Sequence, residues 1–131
     1  MRLFVLGPDL AGHQPVWLNI FWPHFSVMAE SLPTTFLGWP PDTPPGGRIA
    51  GHLRWHRTRR AYAPALCRTV RDSLDPAGPN VLIAWALNAR HARFARLLDD
   101  VWAAFDHTIL NVVDTLQPDH LPRHDLERFD L

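Results

Sequence analysis

Lysine is absent from this chain, and cysteine occurs once. A single cysteine excludes an intramolecular disulfide and a cysteine-based zinc site. A lone Cys67 is ordinarily a buried thiol. Without Lys, every basic site is an arginine site, suited to bidentate contact with phosphate or carboxylate. An excess of one charge is lacking too, because 13 basic residues balance 13 acidic ones. No bulk field therefore draws the chain toward nucleic acid or an anionic membrane, although a local patch stays open. No apolar run reaches about 18 residues, so no spanning helix is indicated. The opening "MRLFVLGPDLAGH" lacks the apolar length of a secretory leader and reads as a first strand. The cytoplasm is the default location.

The motifs of common enzymes are missing as well. "LGPDLAGH" has Gly7 and Gly12 but fits neither GxGxxG nor GxxxxGK[ST], so no phosphate-cradling loop is written here. Without GxSxG there is no hydrolase nucleophile elbow. No cofactor is called for by any motif.

What is present is an alternation of apolar runs and helical patterns. An apolar share of 47% in 131 residues suits one packed domain over 1–131. "RLFVL" (2–6) is a buried strand closed by Gly7-Pro8. Residues 13–32 read as one broken helix or two short ones, since Pro23 removes a donor and clashes with the preceding turn. "TTFLGW" (34–39) is a second strand. The stretch 40–51, which holds "PPDTPPGG", reads as a Pro/Gly-rich loop. A helix begins or restarts at Pro64, with Leu66, Val70 and Leu74 on one face. "VLIAWAL" (81–87) is continuous enough for a strand buried on both faces. Asn88 is a good N-cap, and Phe94, Leu97, Leu98, Val101, Trp102 and Phe105 form a helical stripe. "TILNVV" (108–113) is the next strand. Strand, crossover helix, strand is a βαβ unit with parallel strands. The expected class is α/β, a Rossmann-like three-layer parallel sheet. "HDLERFDL" at 124–131 either starts another strand of an incomplete doubly wound domain, its C-terminal continuation missing, or docks as a short helix.

Parallel α/β sheets bind ligands beyond the carboxyl ends of their strands. That rule selects Gly7-Pro8-Asp9 with Gly12-His13, then Asn88-Ala89-Arg90-His91, then Asp114-Thr115. Arg90, His91 and Arg93 fall in the first turn of a helix, where cations oppose the helix dipole by about 0.3–1 kcal/mol each. An anion at that end would reverse the sign. Solvent-facing cations, or pairs with Asp114 or Asp119, are the plain alternative. Asp114 could orient a hydroxyl or cap a turn. His120 and His124 are four apart, but Pro122 between them disfavours the helical turn a metal pair needs. "HLRWH" (52–56) has the same spacing without Pro, beside Arg54, Arg57, Arg59 and Arg60. With Trp55 and Tyr62 it is either a phosphate-contacting patch or a solvated face.

The segment "VLIAWALNARHARFARLLDDVWAAFDHTILNVVDTLQPDHLP", with "RLFVLGP" before it, resembles the N-terminal Rossmann-like domain of GT-B glycosyltransferases. The resemblance covers 79–120 chiefly and 1–78 loosely, and rests on a pattern rather than on a diagnostic motif. It implies an acceptor-side domain, with Asn88, Arg90, His91, Asp114 and Thr115 facing the cleft. A nucleotide-sugar donor would sit chiefly on a second domain, whose E-x7-E type segment has no counterpart here. The chain alone would then be inactive. The other reading is a non-enzymatic α/β binding module that offers its Trp/Arg-rich surface to a protein or nucleic-acid partner.

Overall fold

The computed structural model describes residues 1–8, 15–41, 47–112 and 123–130. Four parallel strands form one sheet: β1 (Arg2–Gly7), β2 (Thr34–Gly38), β3 (Asn80–Ala86) and β4 (His107–Val112). Their order is β2-β1-β3-β4. The chain steps from β1 to one side for β2, then crosses to the other side for β3 and β4. Register follows from burial. Val5 pairs with Phe36 on one side and Ile83 on the other, and Ile83 pairs with Ile109. A one-residue slip would exchange the two faces of each strand. Phe4 and Leu6, both 0% exposed, and Val5, at 1%, show that β1 is buried on both faces, as its unbroken apolar run requires.

Helices cover both faces. On one face, Phe25 of α1 (Pro15–Ser31) has its ring 5.3 Å from Phe36 and 5.5 Å edge-on from Trp85. A Cβ at Gly7 would come within 3.1 Å of the Phe25 ring, so the small residue at the end of β1 lets α1 approach this closely. On the other face, Phe4 meets Phe105 edge-on at 5.3 Å. There α2 (Arg48–Ser73) packs against the segment after β3, and the Cys67 thiol donates to the Leu97 carbonyl oxygen at 3.3 Å. Burial raises the Cys67 pKa, and Asp100 adds to the shift. The thiol is held protonated and inert. The α/β class and three-layer parallel arrangement expected from sequence are therefore present.

Both prolines expected to interrupt helices are carried inside them. α1 runs through Pro23 and α2 through Pro64. Both rings are exposed, so the carbonyl that each proline deprives of a partner can be hydrated. At Pro23 the Ser26 hydroxyl donates to the proline's own carbonyl at 3.1 Å. In α2 the buried stripe Ala63, Cys67 and Val70 continues across Pro64, and packing outweighs the local breaker. The expected 40–51 loop is shorter than the sequence suggests: residues 48–51 belong to α2, and 42–46 lie outside the described residues.

The crossover between β3 and β4 is tighter than its periodicity predicts. α3 (Ala89–Arg93) passes into a 3₁₀-helix over Phe94–Ala104. Phe94, Leu97, Leu98 and Val101 are nonetheless buried. Asp106 then re-enters the sheet, its N–H donating to the Asn80 carbonyl while its carboxylate accepts the Asn80 N–H at 2.7 Å. The chain's last described segment docks rather than adding a strand. After α4 (Arg123–Leu126), Phe129 sits edge-on to Trp102 at 5.5 Å. Asp130 exchanges two hydrogen bonds of 2.7 Å with the Thr108 backbone, satisfying polar groups on the edge of β4.

This layering predicts unequal costs for truncating sheet residues. Phe4→Ala should lower the free energy of unfolding by about 3–5 kcal/mol, measured by urea denaturation. Ile109→Ala, at a position 42% exposed, should cost less than about 1 kcal/mol.

Candidate functional site at the carboxyl edge of the sheet

In this strand order the direction of winding reverses between β1 and β3, and the place where doubly wound sheets take ligands is beyond their carboxyl ends. Three chain segments meet there. β1 leads to Pro8, which is buried. β2 leads to Trp39, whose N–H donates to the Gly7 carbonyl at 2.7 Å. β3 leads to Leu87, Asn88 and the start of α3.

Asn88 performs the capping role read from its sequence position. It is in an extended conformation, and its side-chain oxygen accepts the His91 N–H at 3.0 Å. This satisfies one of the amide donors that a helix start leaves without an intrahelical partner. His91 is 4% exposed. Its ring stacks on Trp39, with centroids 4.0 Å apart and planes 24° apart, and lies 5.8 Å from Phe94. Its Nδ1 accepts the Leu87 N–H at 3.3 Å, which fixes the tautomer with the proton on Nε2. His91 therefore joins the ends of β2 and β3 across the end of β1.

The remaining predicted positions divide plainly. Arg90 belongs to α3, but its side chain lies outside the described residues. Asp114 and Thr115, together with Asp9, Gly12, His13, Asp119 and His120, also lie outside them. His124 is exposed on α4, with Nε2 3.7 Å from the Asp125 carboxylate. No group of three metal-ligating side chains exists among the described residues.

Arg93 has a different setting from the one its sequence position suggested. Its guanidinium lies 4.5 Å over the Trp55 ring, tying the crossover to α2. Burial lowers its pKa; Asp125 opposes that shift and Arg96 adds to it.

Two charged groups not singled out in the sequence organise this side of the molecule. Asp125 is 3% exposed and accepts from the Arg96 Nε in a short ion pair. Asp99 receives Arg128 at 2.6 Å and Arg59 at 3.4 Å, joining α2, the 3₁₀-helix and the C-terminal segment. Arg128 also lies 4.0 Å over the Trp102 ring. The partners are separated by about 30 to 40 residues, so no local spacing could have paired them.

α2 is about 39 Å long at 1.5 Å per residue, whereas strands of this size span about 17–24 Å. Its buried contacts run from Ala63 to Val70, with Trp55 and Leu74 packed partly against the core. At the start of the helix, Ile49 is 80% and Leu53 57% exposed. α2 follows β2, so this exposed start belongs to the carboxyl-edge side of the fold.

Removing Arg96 would leave the Asp125 carboxylate buried without its main partner. Arg96→Ala should destabilise the fold by about 3 kcal/mol. Leu53→Asp, which disturbs no core contact, should shift stability by no more than about 0.5 kcal/mol. Urea titrations of the two variants against the parent chain check both values.

No helix among the described residues is long and apolar enough to cross a membrane. Comparison of the chain with models of protein families, with curated proteins and with solved structures finds no match to any of them.

Proposed function

We propose that the chain is a ligand-binding α/β domain of glycosyltransferase type, taking an anionic or phosphorylated sugar acceptor at the carboxyl ends of β1, β3 and β4. The observation that carries this reading is the reversal of strand order between β1 and β3, because ligands of doubly wound sheets bind at such a point. Asn88 and His91 act in it as the frame. One holds the start of α3 and the other stacks on Trp39. Arg90 then meets the anionic group and Asp114 a hydroxyl, with Thr115 beside it. In this reading the described sheet supplies the acceptor side of a transfer from a nucleotide-sugar donor.

A second reading, a binding module for a protein partner, is favoured by the exposed apolar pair Ile49 and Leu53 among Arg57, Arg59 and Arg60 on α2. The two exposed apolar side chains suit a protein surface better than a phosphate backbone.

Calorimetric titration with a panel of sugar phosphates and nucleotide sugars separates the two. The glycosyltransferase reading expects binding of a sugar phosphate that weakens about tenfold or more, which is at least about 1.4 kcal/mol, in Arg90→Ala and in Asp114→Ala. Binding unchanged in both variants removes it. No binding across the panel transfers the case to the α2 surface.

A further inference from the structure

We propose that His52 and His56 form a chelating site for a borderline first-row divalent cation, copper, nickel or zinc, on the exposed start of α2. It rests on α2 alone and not on the ligand reading at the strand ends. The two residues are four apart on one uninterrupted helix, so their side chains rise from the same face one turn apart. Their Nε2 atoms are 3.0 Å apart, and the rings meet edge-on with centroids 4.5 Å apart.

The separation is the informative quantity. A metal about 2.0–2.1 Å from each of two imidazole nitrogens, with ligands about 90–110° apart, holds those nitrogens about 2.9–3.4 Å apart. The pair already stands at that spacing, so binding asks for a turn of the rings that brings both Nε2 lone pairs to a common point, with no shift of the helix. Without a metal, the two Nε2 atoms share a hydrogen bond that needs the proton of one of them. On binding, that proton passes to Nδ1 by way of solvent, and both Nε2 lone pairs face the ion.

The surroundings select the kind of ion. α2 carries no acidic residue before Asp72, so the helix itself offers no carboxylate oxygens of the kind hard cations need. Arg57 and Arg60 are exposed nearby. Their charge opposes any cation and leaves an advantage only to ions that bond strongly to nitrogen. Copper should therefore bind more tightly than nickel or zinc. Two protein ligands leave the remaining coordination positions to water or to a donor from a bound partner.

The test uses the full chain, purified without an affinity tag and titrated calorimetrically with Cu²⁺ and separately with Zn²⁺. The expected result is one copper site per chain, with zinc weaker. Copper affinity should fall at least tenfold in His52→Ala and in His56→Ala and stay unchanged in His24→Ala. The electron paramagnetic resonance signal of bound copper should show coupling to two nitrogens, reduced to one in either variant. Circular dichroism of the variants reports whether the helix is retained, and Ala at an exposed helical position favours it. Copper affinity equal in the parent and in both His variants overturns the site. So does a nitrogen-coupling pattern that neither substitution changes.

Discussion

The double burial of β1 is the constraint on which the rest of the molecule depends. A strand sealed on both faces must find all its backbone partners in neighbouring strands, and β1 finds them in β2 and β3. It must also be covered by two layers, because neither face can meet water. α1 supplies one layer by approaching Gly7 through Phe25. The 3₁₀-helix, with Phe105 just after it, supplies the other, backed by α2. The reversal of winding around β1 follows from the same placement, since β2 occupies one side and β3 has to cross to the other.

Capping the carboxyl edge of such a sheet is a separate physical problem, and aromatic stacking answers it here. Trp39, just after β2, and His91, in α3, meet at 4.0 Å beyond the end of β1. Each is anchored by a backbone hydrogen bond, Trp39 to Gly7 and His91 to Leu87. The ends of β1, β2 and β3 are thus tied to one another at this edge. Ion pairs then bind the outer layer. Asp99 joins three segments, and Arg96 neutralises the buried Asp125. Cation–π contacts at Trp55 and Trp102 cover the flanks.

Much of the architecture was legible in the sequence because it rests on periodicity. "RLFVL", "TTFLGW", "VLIAWAL" and "TILNVV" all became strands of one parallel sheet, and the stripe from Phe94 to Phe105 became the buried side of the crossover. The misreadings were local. Pro23 and Pro64 are breakers in isolation, yet both lie on exposed turns of helices whose other face is fixed by packing. Winding of 94–104 as 3₁₀ rather than α leaves no trace in a pattern of apolar residues. The site was legible in part. Asn88 was recognisable as a cap from its position before the helix, whereas the partnership of His91 with Trp39, 52 residues earlier in the chain, belongs to tertiary structure. The same holds for Asp125, whose burial is set by Arg96.

Native-state amide hydrogen exchange followed by NMR tests the central role of β1 most directly. The amides of Leu3, Val5 and Leu6 and their neighbours Leu82 and Ala84 should exchange slowest, only through global unfolding, with β2 and β4 faster at the edges. Exchange in β1 as fast as in β2 and β4 would contradict the account.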